Sequence, residues 1–497
     1  MTNPDIRHLF LDTDGLRRWD TGVMQRFPKP EKVSITGLEP GSTGPWDARV
    51  TTIYGSVLVE DGKFRMWYFC MPDANNYDEG ADYPLAAYAE SDDGVHWTKP
   101  DLKLTGRHRH PGNNLLALPG GLMGVVPALP GADFKYLAST IQILPLEPDV
   151  CDLPGLSFHG PGTYFFASDD GLRWRQLTSD PVLQHGDVGS LIADPARNRY
   201  LFYQKVGMMH GLDMRRSFIG LESRDGAHWE GYEGVDRWRE CFLADDYDDF
   251  LAQQAGFRIA DHYNIAVYPV SDNFYVSLET IFYIGSPLRF LFGQNPNGIA
   301  STRLGFSHDA MHWRHPKGRP TWLELGEPGD FDAGFMVTAN TFVEHGDDLL
   351  LYYGGSRYDH GWCITEDFKM REDIPLSAQR NSGRIGLARV KRDRFAGLAA
   401  TFRTRFEVDA ETRAGDALYV NARCPRGSLR VAVYDLLKNE PLPGFTFDDC
   451  LPITGDSLRV PVRFKKAHVR DIPADKWLML HFELNTGEIF GFAWGEE

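Results

Sequence analysis

The sequence predicts an all-β chain, a five-bladed β-propeller followed by a C-terminal β-sandwich, and three observations predict it. The pattern Ser-x-Asp-Gly-x-x-Trp occurs at residues 91–97, 168–174 and 223–229, and again at 307–313 with Ala310 in place of Gly. An aromatic strand recurs ahead of each corner, at residues 64–68, 136–140, 200–204 and 274–278, and a fifth stands at 349–353. Beyond Phe395 the texture changes to strongly alternating runs without a Trp corner. Units of roughly 65 to 75 residues, each reading as four antiparallel strands, are the signature of propeller blades.

Each corner trails a short apolar or alternating run, so it reads as a strand entering a tight turn and leaving through a Trp-bearing strand. The Ser and Asp oxygens can bond nearby backbone N–H groups, Gly supplies positive φ, and the Trp ring can seal one hairpin against the next. The motif is therefore structural, and the four tryptophans Trp97, Trp174, Trp229 and Trp313 are expected to be buried between blades.

Taken in order, residues 1–45 read as an irregular lead-in broken by Pro28, Pro30, Pro40 and Pro45, with residues 9–11 tucked against a blade. The innermost strands are expected at 53–59, 124–128, 190–193, 265–269 and 335–343. The fifth unit takes residues 385–388 as its third strand and 391–393 as its corner, with Phe395 where Trp would stand. Residues 236–256 form an acidic insertion, read as a short helix or a lid whose charges make a solvated face. The propeller then spans residues 1–397 and the sandwich 398–497, with strands expected at 418–421, 429–434, 457–464, 477–483 and 488–494.

A formal net charge of −17 and the lack of any Lys/Arg-rich run disfavour nucleic acid or an acidic membrane surface, leaving a neutral ligand as the better default. The first residues carry no export signal and no stretch is long enough to span a bilayer, so a cytoplasmic protein is expected. Six scattered cysteines without a C-x-x-C pair read as reduced thiols. His108 and His110 read as exposed loop residues, and neither a metal nor a cofactor is signalled.

Five blades on Ser-x-Asp-Gly-x-x-Trp corners followed by a β-sandwich resemble the five-bladed propeller glycosidases, the group of invertases, levanases, arabinanases and xylosidases. The resemblance covers nearly the whole chain and is nearest to uncharacterised members with a C-terminal sandwich. It implies three acidic residues on innermost strands around an axial funnel, acting as nucleophile or base, acid, and orienting carboxylate. The invertase signature Trp-x-Asn-Asp-Pro-Asn-Gly is absent, Trp46 and Asp47 being a loose counterpart; Asp187 stands loosely for Arg-Asp-Pro, and the Glu-Cys motif is missing.

Read from the residues, carboxylates able to cleave a glycosidic bond belong where innermost strands begin, because those ends converge on the axis. Asp47, Asp187, Asp261 and Asp332 qualify, whereas blade two offers Asn113 and Asn114; the end of the second strand lies at the same level and adds Glu279. Asp261, at the head of a polar and aromatic tetrapeptide, ranks first as nucleophile or base, and Asp187 second as acid or tuning partner. Trp46, Tyr54, His262, Tyr263, Trp322, Phe331 and Tyr358 are the neighbours suited to sugar faces and hydroxyls. The expected activity is hydrolysis of a furanoside or related oligosaccharide. A phosphorylase using Lys205, His210, Arg215 and Arg216 for phosphate, a non-catalytic sugar-binding propeller, and a protein-interaction scaffold remain alternatives.

Overall fold

The structure, a computed structural model, describes residues 6–72, 85–104, 112–142, 156–184, 187–210, 213–231, 239–284, 298–362, 373–374 and 382–496. His108 and His110 lie outside the described residues. Blade 1 comprises Val50–Glu60, Lys63–Met71, Leu85–Ser91 and Trp97–Thr98, all antiparallel. Blade 2 comprises Leu122–Pro127, Tyr136–Gln142, Gly162–Ser168 and Arg175–Gln176. Blade 3 comprises Gly189–Asp194, Arg199–His210, Asp213–Ser223 and Glu230–Gly231, with Arg239–Phe242 pairing alongside. Blade 4 has Ile259–Ser271, Phe274–Ile284 and Gly298–Ser307, and a bridge from Phe306 to Arg314 marks its outer edge. Blade 5 has Phe335–Thr338, Val343–His345, Asp348–Ser356 and Gly383–Lys391.

The first strands of the five blades neighbour one another in a closed cycle, blade 5 returning to blade 1. Below their starts, Asn340 plugs the axis: its N–H donates to Gly55 O (3.0 Å), its Nδ2 to Leu191 O (3.1 Å), and its carbonyl accepts from Val267 N (2.8 Å). A Cβ on Gly124 would stand 2.0 Å from Asn340 Nδ2, so blade 2 can approach this residue only as glycine.

The lead-in is not irregular. Glu31–Val33 pairs with Gly383–Lys391 and supplies the outer strand of blade 5, so the ring is closed by the chain's own N-terminal segment. Ile6–Leu9, Leu16–Trp19 and Met24–Arg26 pair with sandwich strands Gly487–Gly495, Thr404–Asp409 and Gly397–Ala400. Strands this short carry no readable period, and their partners are hundreds of residues away.

The corners fold as their chemistry requires. Ser91 Oγ accepts from Gly94 N (2.9 Å) and Asp93 Oδ1 from Val95 N and His96 N (2.8 Å each), and the same bonds recur around Asp170, Asp225 and Asp309. Of the four tryptophans only Trp97 is fully buried; Trp174, Trp229 and Trp313 are half-buried because the corners lie toward the rim. Each packs toward the preceding blade all the same, as where Trp229 stacks on Phe165 at 4.3 Å. Phe395 does likewise, 6.2 Å from Tyr268 of blade 4.

The acidic insertion contains the helix Asp246–Gln254, capped by Asp245. Asp245 and Asp246 are solvated, but Asp248 and Asp249 are not. Asp248 is buried against Arg303 and Arg319 (2.6 Å to the latter), and Asp249 takes both terminal nitrogens of Arg215 at 2.8 and 3.1 Å. Arg303 and Arg215 also meet Glu279 and Asp261, and the helix supplies the further carboxylates that occupy the rest of each buried guanidinium.

In the sandwich, the long strand Ala417–Asp435 pairs with Gly487–Gly495 and Ile453–Pro461 through its first half and with Leu478–Asn485 through its second. Leu418, Val420, Val431, Val433, Leu480, Phe482 and Phe492 fill one core between the layers.

Candidate active site at the propeller mouth

Asp187 stands two residues ahead of Gly189–Asp194, the first strand of blade 3. Its carboxylate pairs with Lys205 Nζ. Strand pairing sets that lysine opposite, since Lys205 N donates to Val188 O at 2.8 Å. The lysine is buried, with Nζ 4.1 Å from the ring centroid of Tyr263, whereas 53% of the Asp187 side chain reaches solvent. Tyr263 comes from blade 4, and its hydroxyl meets His360 Nε2 at 2.9 Å and the hydroxyl of Tyr54 from blade 1. Tyr54 is itself stacked on Phe69 at 5.3 Å. Four blades thus contribute to one polar, aromatic cluster.

Asp261 borders this cluster from below. It is 1% exposed; Oδ1 accepts from Arg215 Nε at 2.8 Å and Oδ2 from Arg216 Nη1 at 3.1 Å. Arg216 lies 5.9 Å from the Tyr263 ring and 5.0 Å from that of Phe282. Lys205, Arg215 and Arg216 are therefore matched by Asp187, Asp249 and Asp261, and the cluster carries no net charge.

Burial would push the Asp187 carboxyl up, but Lys205 outweighs it and holds the group below the ordinary carboxylate value. Burial likewise draws the Lys205 ammonium down against the pull of Asp187. Burial and the Asp187 charge together raise Tyr263, which stays a neutral hydroxyl. On the segment after the second strand of blade 5, Asp359 behaves oppositely: burial raises its carboxyl above the usual range. It directly precedes His360 and follows Tyr358, whose ring stacks on Trp362 at 4.1 Å.

The other expected acids lie in different surroundings. Asp47 is wholly buried, accepting from Lys99 Nζ at 2.6 Å and Gly41 N at 2.9 Å. Asp332 is buried with Lys32 Nζ at 2.7 Å and the Tyr353 hydroxyl at 2.9 Å, fastening the N-terminal strand to blade 5. Glu279 is buried under Arg303 Nε (3.0 Å), His315 Nε2 (2.9 Å) and Ser277 Oγ (2.9 Å). Burial would raise it, but His315 and Arg303 hold it well below the ordinary range. All three carboxylates are consumed by internal partners.

Among the expected sugar contacts, Tyr54 and Tyr263 belong to the mouth. Trp46 is buried with Nε1 on Asn114 Oδ1 (2.9 Å), and Trp322 is buried against Phe342 and Phe395, so neither offers a face to a ligand. Phe331 stacks on Tyr353, and His262 lines a separate cavity. Asp359 and His360 belong to no sequence motif, but residues 357–360 follow the second strand of blade 5, whose end lies level with the mouth as the second strand of blade 4 does at Glu279. Among the described residues no cluster of three or more His, Cys, Asp or Glu could hold a metal ion, and no helix is long and apolar enough to cross a membrane.

No known family model matches the chain, and no curated protein does. Among solved structures it is similar to an N-acetylgalactosamine deacetylase from F. plautii, in complex with blood group B trisaccharide, at 15% identity over 74% of this chain and 96% of that one, TM-score 0.47. It is also similar to a β-fructofuranosidase from Bombyx mori (10% identity, 94% and 95% covered, TM-score 0.39) and to an exo-inulinase from Aspergillus awamori (12% identity, 92% and 96% covered, TM-score 0.39).

Proposed function

We propose that the protein is a glycosidase that cleaves a furanoside or related oligosaccharide at the propeller mouth. The observation that carries this reading is Asp187, a solvent-reaching carboxylate kept ionised by a buried lysine at the end where the first strands of the blades begin. Glycosidic cleavage pairs such an ionised group with a carboxyl that donates a proton, and Asp359, next to His360 of the cluster and shifted above the ordinary carboxylate range, is the candidate donor. Asp187 thus takes the role of nucleophile or base, and Asp261, with an arginine on each oxygen, that of the fixed charge behind it. Tyr54, Tyr263 and the Tyr358–Trp362 pair supply ring faces and hydroxyls for the sugar. Because each cation of blade 3 near the mouth already has its own carboxylate, phosphorolysis is the weaker reading. Free thiols at Cys70, Cys424 and Cys450 fit a cytoplasmic setting and short, imported substrates.

The test is a screen of 4-nitrophenyl arabinofuranoside, 4-nitrophenyl xyloside, sucrose and inulin-derived oligosaccharides, with and without inorganic phosphate. On whichever is cleaved, Asp187→Asn and Asp359→Asn should each slow turnover by about 10² to 10⁴ with the fold intact by circular dichroism. Near-normal turnover in Asp187→Asn would overturn the assignment, and saturable binding without turnover would make the propeller a sugar-binding module.

A further inference from the structure

A second cavity of about 600 Å³ opens between blades 3 and 4, beside the helix Asp246–Gln254. Along Ile259–Ser271, Asp261 and Tyr263 belong to the mouth, while the intervening His262 lines this cavity. Its wall holds two buried donors without an acceptor, His262 Nδ1 and Trp313 Nε1. His262 is 1% exposed and burial lowers it to about 4, so the ring is neutral. Arg303 Nη2 faces His262 Nε2 at 3.5 Å, which assigns the lone pair to Nε2 and the proton to Nδ1. The one acid paired with that nitrogen among the described residues is Glu279, whose Oε2 lies at 3.7 Å, beyond hydrogen-bond reach.

The rim adds a cation and a ring. Lys317 is exposed and makes no ion pair among the described residues, unlike Arg319, which is engaged by Asp245 and Asp248. Tyr247, 42% exposed, is steadied by the Arg319 guanidinium 5.3 Å from its centroid and continues into the ring of Phe250, also exposed and stacked at 5.9 Å.

We propose that this cavity is a second carbohydrate site, distinct from the mouth, that takes an acidic monosaccharide unit. A ring the size of a hexose fits the volume, its apolar face on Tyr247, its hydroxyl oxygens accepting from His262 and Trp313, and its carboxylate on Lys317. The proposal does not depend on the glycosidase reading, since none of these side chains belongs to the mouth cluster.

The experiment is calorimetric titration of the full chain with D-glucuronate, D-galacturonate and, as the neutral comparator, D-glucose. Saturable binding of at least one uronate is expected with a Kd no weaker than on the order of 10 mM, and weaker binding of glucose. Lys317→Ala and Tyr247→Ala, both at exposed positions, should each weaken it by about tenfold or more at unchanged melting temperature, with Asp187→Asn binding as the wild type does. Absence of saturable uronate binding, equal affinity in Lys317→Ala, or loss confined to Asp187→Asn would overturn it, the last by moving the sugar to the mouth.

Discussion

The indole Nε1–H of Trp67, on the second strand of blade 1, donates to the carbonyl of Gly171 in the corner of blade 2 at 2.7 Å. The same clasp joins blade 5 to blade 1, where the Tyr352 hydroxyl bonds Gly94 O at 2.8 Å, and blade 3 to blade 4, where that of Tyr203 bonds Ala310 O at 2.6 Å. Between blades 2 and 3 the matching position is Ser139, and Leu137, two residues earlier, packs under Gly226 without a bond. The recurring aromatic strand and the recurring corner are therefore two halves of one interblade contact.

Trp67→Phe should accordingly lose about 1–3 kcal/mol, because a buried carbonyl is left without its donor while most of the ring volume is kept. Urea denaturation measures the loss. Turnover at saturating substrate should be unchanged, and a fall in turnover at full stability would mean that the corner has a role in the site.

Ring closure depends on a pair far apart in sequence. Lys32 on the N-terminal strand of blade 5 neutralises the buried Asp332, so Lys32→Met leaves that carboxylate, among the described residues, with the Tyr353 hydroxyl alone. A cost of about 2–3 kcal/mol is expected, below that of a fully buried pair because Lys32 is one-third exposed. Adding Asp332→Asn should recover part of it; equal stability of wild type and Lys32→Met would remove this pair from the closure.

These two contacts mark what the sequence does and does not disclose. Trp67 and Gly171 belong to patterns that repeat blade after blade, so blade count, strand order and corner geometry could be read from periodicity. Lys32 and Asp332 belong to no pattern: a three-residue strand pairs across some 350 residues of chain, and only the folded ring brings it home. The acids illustrate the same limit. Asp47, Asp187, Asp261 and Asp332 stand at similar places on their blades, but whether a carboxylate faces solvent or an internal cation is decided by Lys99, Lys205, Arg215, Arg216 and Lys32, which lie on other strands. Asp248 and Asp249 show the converse, an acidic run that looks solvated until two blades supply its arginines.

His262 makes stability depend on pH. Its folded value of about 4 lies below the unfolded 6.5, so the unfolded chain binds the extra proton. The contribution is fully present above pH 6.5 and is lost as pH falls toward 4, on the order of 3 kcal/mol in all. His8 and His481, also lowered to about 4, slope the same way, so the measurement is a difference. In His262→Asn the fall in unfolding free energy between pH 6.5 and 4 should be shallower than in the wild type; parallel curves would mean that Glu279, Asp248, Arg303 and His315 around the ring absorb the proton without cost.

The Asp187–Lys205 pair makes a corresponding prediction for catalysis. If Asp187 must be ionised to act, the acid limb of kcat/KM reports its protonation, and that limb should lie below the ordinary carboxylate range because Lys205 outweighs the burial that opposes it. Lys205→Met removes the charge and keeps the apolar stem beside Tyr263, so burial is opposed by Arg216 and His360 without the lysine. The acid limb should then move up, with the residual rate at its new plateau set by how much of the lysine's role was charge and how much was positioning. An Asp187→Asn background should abolish the shift, since no carboxyl would remain to titrate. A limb that stays in place in Lys205→Met would detach Asp187 from the rate-determining ionisation, and the base would have to be sought elsewhere around the mouth.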